Sequence, residues 1–201
     1  MWKIWIWPSK TSEATRLRLY TCYKLPILLY NCGTWALTYA ELCGLESFHR
    51  RQLRKVIGVS YPETISNDDL YTRTGAEPLR YHLLKRRWTL FGDILRLSMK
   101  TPDIPAYRHM EAYFGPSDQP KFRGRRRTTL PEVLDADLRT LPDDYRLRRP
   151  ADLYLLRCHA QDRKEWKRLI QSLLAYIPLD ERDPTYANTT LAKRLSKLTL
   201  E

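Results

Sequence analysis

Apolar residues recur along this chain at intervals of three and four, which is the period of amphipathic helices and not of strands. Glycine is scarce, at 7 of 201 residues, and alternation between apolar and polar positions is hard to find. The pattern therefore predicts an all-α fold, an irregular helical bundle of about six to seven helices.

The first two predicted helices lie before residue 60. The first spans roughly residues 11–30, and Pro26 should kink or end it because proline lacks a backbone N–H donor. The second begins near Thr38 and Glu41, which have the spacing of a capping box, and Gly58 supplies its stop signal. Its core-facing positions are predicted to be Leu42, Leu45, Phe48, Leu53 and Val56 or Ile57.

Three further helices are predicted between residues 66 and 115. Ser66 or Asn67 can cap a short helix that ends at Gly75. Pro78 opens a longer helix that runs to about residue 99, and Pro105 starts another short one. The long helix should bury Leu79, Leu83, Leu90, Phe91, Ile94 and Leu97.

The stretch 115–127 is rich in proline, glycine and charge, and it predicts an exposed basic loop that separates two helical parts. After it, Thr129 and Glu132 have capping-box spacing, and Pro150 opens a last long helix. That helix should bury Leu153, Leu156, Trp166, Leu169, Ile170, Leu173 and Ile177. The predicted domains are a helical domain over 1–114, a basic linker over 115–127, a helical segment over 128–178, and a mobile or weakly helical tail over 179–201.

The charge balance, 35 Lys and Arg against 23 Asp and Glu, gives a formal net charge of +12 and indicates a polyanionic partner. Nucleic acid, an anionic membrane surface and a ribosome-like scaffold all fit such a charge, so the distribution of the cations must decide. No stretch approaches a membrane-spanning length, and the apolar start over residues 1–8 is too short for a secretory leader. We therefore expect a soluble, intracellular protein of the nucleus or the cytoplasm, without a membrane partner.

The cysteines form no Cys-x-x-Cys pair and have no histidine in zinc-knuckle spacing. We expect reduced, buried thiols at Cys22, Cys32, Cys43 and Cys158.

The sequence holds no His-Glu-x-x-His motif, no glycine-rich phosphate loop and no nucleophile elbow. A metal site can be imagined from Asp93, Asp152, His159 and Asp162, although an ordinary polar surface explains these residues better. We expect no metal and no cofactor.

Six segments carry a family resemblance when they are read in order. They are LLYNCGTW at 28–35, LESFHRRQLRKVIG at 45–58, RWTLFGDILR at 87–96, GRR at 124–126, DL at 137–138 and AQDRKEW at 160–166. Each alone is common, whereas their shared order over most of the chain is specific. In this order they resemble the C-terminal region of non-LTR retrotransposon reverse transcriptases, downstream of the polymerase palm.

The resemblance implies that this portion corresponds to the thumb and the linker beyond it, which help to hold template RNA and primer DNA. Two positions depart from the family, which usually has Gly-His where this chain has Gly92-Asp93, and Gly-Arg-Pro where it has Gly124-Arg125-Arg126. The first departure puts a role of that histidine in doubt, and the second suggests a looser loop. The palm would lie upstream of residue 1, so the resemblance implies no polymerase catalysis here.

Two carboxylate doublets, Asp68-Asp69 and Asp143-Asp144, are the only sequence features that could suggest polymerase chemistry, which needs carboxylates to hold two metal ions. Both lie where aspartate commonly complements the dipole at the start of a helix, and neither has an apolar strand before it. We therefore predict no catalytic residue.

The densest candidate for phosphate contact is a loop segment with five cations in seven residues, in which an aromatic ring is available to stack on a base. Its members are Lys121, Phe122, Arg123, Arg125, Arg126 and Arg127. Two helix stripes add cations, namely Arg50, Arg51, Arg54 and Lys55 on one and Lys85, Arg86 and Arg87 on the other. The alternatives are a solvated or nuclear-localisation-like basic linker and ordinary solvated helix faces.

Two functions follow from these observations. The first is a noncatalytic nucleic-acid-binding fragment that contacts phosphates of RNA, DNA or an RNA–DNA hybrid. The second is a structural or protein-interaction remnant of a retrotransposon polyprotein, whose apolar surfaces once packed against the missing palm. A small metal-dependent hydrolase is a third and less favoured interpretation.

Overall fold

The computed structural model describes residues 11–101, 103–115, 124, 127–141, 145–175 and 177. Every regular element in these ranges is helical, and none of them is a strand, which confirms the predicted all-α class. The described residues fall into two compact units, the first over 11–32, 39–83 and 177, and the second over 33–38 and 84–175. The predicted linker lies mostly, and the predicted tail wholly, outside the described residues, so the domain boundaries stay a prediction.

The first unit is built from four helices and the start of a fifth. They are α1 (Glu13–Leu19), α2 (Leu25–Leu28), α3 (Tyr39–Ile57), α4 (Asn67–Thr74) and α5 (Leu79–Lys100), which passes into the second unit after Leu83. Ser12 caps α1, because its Oγ accepts the N–H of Thr15 at 3.3 Å. A short 3-10 turn, Cys32–Thr34, precedes α3.

A π-helical turn, Tyr20–Lys24, joins α1 to α2. The N–H of Leu25 donates to the carbonyl of Tyr20, five residues back. Pro26 follows directly, and it has no N–H to donate to the carbonyl of Cys22, four residues back. In a regular α-helix its ring would also clash with that carbonyl. The disturbance predicted at Pro26 therefore takes the form of one widened turn.

The ends of α3 and α4 follow the signals in the sequence. Gly58 and Gly75 have φ angles of 83° and 62°, in the left-handed region that glycine adopts most readily, and each stands directly after the last helical residue. Ser66, and not Asn67, caps α4, because its Oγ accepts the N–H of Asp69 at 3.1 Å.

The start of α5 is held by a carboxylate from α3. Glu46 is only 2% exposed, and it accepts the N–H groups of Leu79 at 3.0 Å and Arg80 at 2.9 Å. The hydroxyl of Tyr71 donates to the same carboxylate at 2.5 Å. A helix start leaves backbone donors without intrahelical partners, and a negative charge there satisfies them.

The second unit contains the remainder of α5 and four further helices, α6 (Pro105–Phe114), α7 (Leu130–Leu138), α8 (Pro150–His159) and α9 (Arg163–Ala175). The predicted capping pair at α7 is confirmed, since the N–H of Thr129 donates to Glu132 Oε2 at 3.1 Å. The core gathers three aromatic rings whose centroids lie 5.6–6.0 Å apart. They belong to Trp88, Phe91 and Trp166.

The prediction of one long helix after Pro150 was wrong. The chain leaves α8 after His159 and starts α9 at Arg163. Asp162 is the cause, because its carboxylate accepts the N–H groups of Lys164 at 2.7 Å and Glu165 at 3.4 Å, which starts a new helix.

Several predicted burials were also wrong. Leu97 is 52% exposed, because the inner face of α5 runs through Leu95 and Ser98, both fully buried. Phe48 is 43% exposed, at the edge of an open cavity. Cys22 and Cys158 are exposed, whereas Cys32 is buried; none of the four cysteines forms a disulfide.

Candidate nucleic-acid interface

Four of the predicted contact residues are exposed on helices, Arg51 and Lys55 on α3 and Lys85 and Arg86 on α5. Arg51 and Lys55 lie four residues apart, so their side chains leave the same side of α3 about one turn from each other. Within the described chain, neither of these two makes an ion pair. A phosphate can therefore reach both.

The other two arginines of the α3 stripe face inward. Arg50 is 8% exposed, and its Nη2 donates to Ser47 Oγ at 3.2 Å. Nη2 of Arg54 donates to the carbonyl of Ile65 at 3.1 Å and to Asn67 Oδ1 at 2.8 Å. Arg54 thus fastens α3 to the loop before α4, and neither side chain is placed as a surface cation.

Arg87, predicted as a contact on α5, lies inside the second unit. Its Nη1 is 2.9 Å from Asp137 Oδ2 on α7, with the two side chains 7% and 15% exposed. The indole N–H of Trp88 donates to the same carboxylate oxygen at 3.0 Å. The guanidinium therefore balances a half-buried carboxylate and does not face solvent.

Most of the predicted basic loop, Lys121, Phe122, Arg123, Arg125 and Arg126, lies outside the described residues. Arg127 is described and exposed, directly before the capped start of α7. The loop's contact with phosphate stays a prediction.

A cationic face on α9 was not among the predicted contacts. Arg163 and Lys167, and Lys164 and Arg168, are pairs at four-residue spacing, and all four side chains are exposed. Trp166, Ile170, Leu173 and Leu174 of the same helix are buried. No described carboxylate lies within ion-pair distance of the four cations. We call this set the α9 cationic face.

Two other exposed arginines of the second unit, Arg139 and Arg148, are already paired with a carboxylate. Asp135 is 4% exposed and receives Arg139 at 2.6 Å, Arg148 at 3.2 Å and the N–H of Leu147 at 3.0 Å. Burial alone would raise the pKa of Asp135, but these hydrogen bonds outweigh burial and lower its pKa. The contrast separates structural arginines from the α9 cationic face.

Arg168 also borders a cavity of about 270 Å³ with a mixed polar lining. His159, Tyr145 and Ser172 contribute hydrogen-bonding groups to this cavity, together with Glu165. His159 Nδ1 lies 3.9 Å from the carboxylate of Glu165. The cavity supplies several donors beside the cations of α9.

A second cavity, of about 310 Å³, lies in the first unit between the π-helical turn and α3. It is mainly apolar, and its lining consists of Tyr20, Lys24, Ile27, Leu28, Phe48, Gln52, Lys55 and Val56. No described acidic residue lines it. Large apolar side chains stay exposed in the elements that form it, with Ile27 at 74% and Tyr23 at 52%. An exposed apolar patch of this kind is typical of a binding surface.

A buried polar cluster stands behind this cavity in the first unit. The hydroxyl of Tyr20 lies 2.7 Å from His49 Nδ1, and His49 Nε2 lies 3.3 Å from the carbonyl of Glu77. Burial lowers the pKa of His49, although the Glu46 charge opposes this effect. Burial also raises the pKa of Tyr20 and of Tyr71. His49 is 1% exposed and Tyr20 4%, so their contact packs the π-helical turn against α3, while Tyr20 also lines the cavity.

The Asp68-Asp69 doublet occupies the first turn of α4, as the sequence predicts, while Asp143-Asp144 lies outside the described residues. Among the residues described, no group of three or more His, Cys, Asp or Glu side chains is placed to hold a metal ion. No described helix combines the length and apolar character needed to cross a membrane.

No protein-family model matches this chain, and no curated protein or solved structure is detectably similar to it. The resemblance to the reverse transcriptases rests on the sequence segments alone and stays a proposal.

Proposed function

We propose that this chain is a noncatalytic nucleic-acid-binding module that holds RNA, DNA or an RNA–DNA hybrid through its phosphates. The α9 cationic face carries the proposal, because four exposed cations without carboxylate partners stand on one side of a helix. The exposed pair Arg51 and Lys55 adds a second such surface in the first unit. This role agrees with the thumb-and-linker portion of the reverse transcriptases that the sequence resembles.

The energetics favour an anionic partner for α9. Like charges four residues apart on a helix destabilise it by about 0.2–0.5 kcal/mol per pair, and α9 has two such pairs. A bound phosphate backbone converts this repulsion into attraction and releases counterions. Four phosphate contacts would give log K against log salt a slope of about −3.6 on duplex, at roughly −0.9 per contact.

The test is binding of the purified chain to single-stranded RNA, duplex DNA and an RNA–DNA hybrid across a salt series. A double variant, Lys164→Gln with Arg168→Gln, should lower the magnitude of the duplex slope by about 1.8. The matched control, Arg73→Gln with Arg108→Gln, removes the same charge from residues paired with Glu13 and Asp103. If both variants changed the slope equally, the attraction would depend only on the net charge of the protein, and α9 would not be the site.

The basic loop has its own test, a variant with Arg123, Arg125, Arg126 and Arg127 changed to Ala. If the loop tracks the backbone, this variant should lose a further part of the salt-dependent affinity. Unchanged binding would assign the loop to the solvated linker.

A second candidate function is protein interaction, and the exposed apolar side chains near the 310 Å³ cavity favour it. It predicts dimers or aggregates that a short oligonucleotide does not alter. A sizing run with and without the oligonucleotide separates this candidate from the nucleic-acid module.

A further inference from the structure

The apolar cavity of the first unit borders a stripe on α3 with an unusual mixture of side chains. Phe48, Gln52 and Lys55 line the cavity at helical spacing, and Arg51 follows Phe48 by three residues on the adjoining side. An aromatic ring, an amide and two cations therefore lie side by side. Aromatic rings interleaved with cations are the arrangement that binds single-stranded nucleic acids.

The opposite wall of the cavity comes from the π-helical turn. Tyr20 and Lys24 both belong to this turn and line the cavity, while Ile27 and Leu28 of α2 extend its apolar surface. Single π-helical turns inserted between α-helical segments occur frequently at functional sites. The cavity lies where this turn and α2 face α3.

The side chains that line the cavity suit a ligand with a flat ring and flanking negative charges. The walls are mainly apolar, which suits a flat ring, whereas the cations at the rim suit anions on either side of it. No described carboxylate lines the cavity to repel a phosphate. Phe48 is 43% exposed, so its ring is available for stacking, and the amide of Gln52 can both donate to and accept from a base edge.

From this geometry we infer that the cavity receives one unpaired base of a single-stranded nucleic acid, with Arg51 and Lys55 on its flanking phosphates. The inference rests on the proposed nucleic-acid function and names its preferred substrate class. Phe48 stacks on the base, and Gln52 hydrogen-bonds its edge. A paired base cannot enter, since its edge and both faces are occupied within the duplex.

The experiment compares a short single-stranded RNA, the same RNA with one central abasic residue, and a duplex of equal length. Phe48→Ala should weaken binding of the intact single strand by about 5-fold or more, because stacking on an aromatic ring contributes about that much per base. Binding of the abasic strand and the duplex should change little, and the salt slope should stay the same because no charge is removed. Tyr154→Ala, at an aromatic residue 59% exposed outside the cavity lining, is the matched control.

A second variant, Gln52→Glu, keeps the cavity filled and adds a negative charge at its rim. It should weaken single-strand binding as well, while thermal unfolding stays close to that of the parent chain. A 2-aminopurine base placed in the strand should lose fluorescence on binding to the parent and regain it with Phe48→Ala.

Failure of the base-binding cavity can be distinguished from failure of the proposed nucleic-acid function. Salt-dependent binding that Phe48→Ala and Gln52→Glu leave intact would overturn the base-binding cavity and keep the phosphate-binding proposal. Absence of salt-dependent binding to every oligonucleotide would overturn both. If a synthetic amphipathic peptide of Leu and Glu displaced an apolar dye from the cavity and the oligonucleotide did not, the cavity would be a protein-docking site and the inference would be wrong.

Discussion

The indole ring of Trp166 on α9 lies directly against the α-carbon of Gly92 on α5. A Cβ atom at position 92 would stand 2.1 Å from Trp166 Nε1, and that N–H donates to the carbonyl of Trp88 at 3.0 Å. Both residues belong to segments that carry the family resemblance. Their presence in this chain is explained by close helix packing, without a contact to nucleic acid.

Gly92→Ala should therefore destabilise the protein. The added methyl group overlaps the indole, and such overpacking costs about 1–3 kcal/mol in a close-packed core. Denaturant unfolding measures this change. Gly44→Ala is the matched control, because Gly44 is also within a helix and a Cβ atom added there would meet no neighbouring atom within 4 Å. It should instead stabilise by about 0.5–1 kcal/mol. Similar values for both variants would contradict the packing.

Asp137→Ala should be more damaging. It leaves the 7% exposed guanidinium of Arg87 without its carboxylate and removes the acceptor of the Trp88 indole. Removing one partner of a buried pair costs about 3–5 kcal/mol. The control is Asp103→Ala, which breaks an exposed pair with Arg108 and should cost at most about 1 kcal/mol. If Asp137→Ala lowered the free energy of unfolding by less than about 1 kcal/mol, the guanidinium of Arg87 would have to reach another partner or solvent in the variant.

Acidification should weaken the first unit through His49. Burial lowers the pKa of His49 in the folded chain, so the unfolded chain takes up its proton first, near pH 6.5. The free energy of unfolding should thus be intact above about pH 6.5 and fall as the pH decreases from there through the lowered folded pKa. Unfolding measured between about pH 7 and pH 5 tests this.

His49→Gln should flatten that pH dependence, whatever its effect on stability at neutral pH. His109→Gln, at an exposed histidine of α6, should leave the slope unchanged. A slope that survives His49→Gln would assign the pH dependence to other groups.

Local signals in the sequence predicted much of the fold. Pro78, Pro105 and Pro150 each stand at the start of a helix, and Gly58 and Gly75 each follow the end of one. These signals act within one turn, so they can be interpreted without the tertiary structure. The break between α8 and α9 was missed because apolar periodicity continues across Asp162, although that aspartate was itself a start signal.

The candidate site was less accessible to sequence reasoning. Arginine at 51 and arginine at 54 look alike in a stripe, but only the environment shows that Arg54 bonds the carbonyl of Ile65 while Arg51 is exposed. Arg87 was likewise predicted to contact phosphate. Its actual partner, Asp137, is 50 residues away in the chain, and the local sequence does not reveal it. The cations of the α9 cationic face have a visible four-residue spacing in the sequence. The prediction of a single long helix after Pro150 did not distinguish the exposed side of α9 from its buried side.

Arg51 and Arg54 should accordingly separate binding from stability. Arg51→Gln should change the free energy of unfolding by no more than about 0.5 kcal/mol, since its side chain is exposed. If it contacts a phosphate, it should lower the magnitude of the duplex salt slope by about 0.9. Salt-series binding and denaturant unfolding of the same preparations measure both quantities.

Arg54→Gln should behave in the opposite way. It loses the guanidinium bonds to Ile65 and Asn67, which should cost about 1–3 kcal/mol of stability, because a charged donor is removed from two acceptors at once. Its salt slope should stay that of the parent, because this guanidinium is held by the loop before α4. A slope that fell equally in both variants would mean that Arg54 leaves the loop to meet the phosphate, and the division of the stripe into inner and outer cations would be wrong.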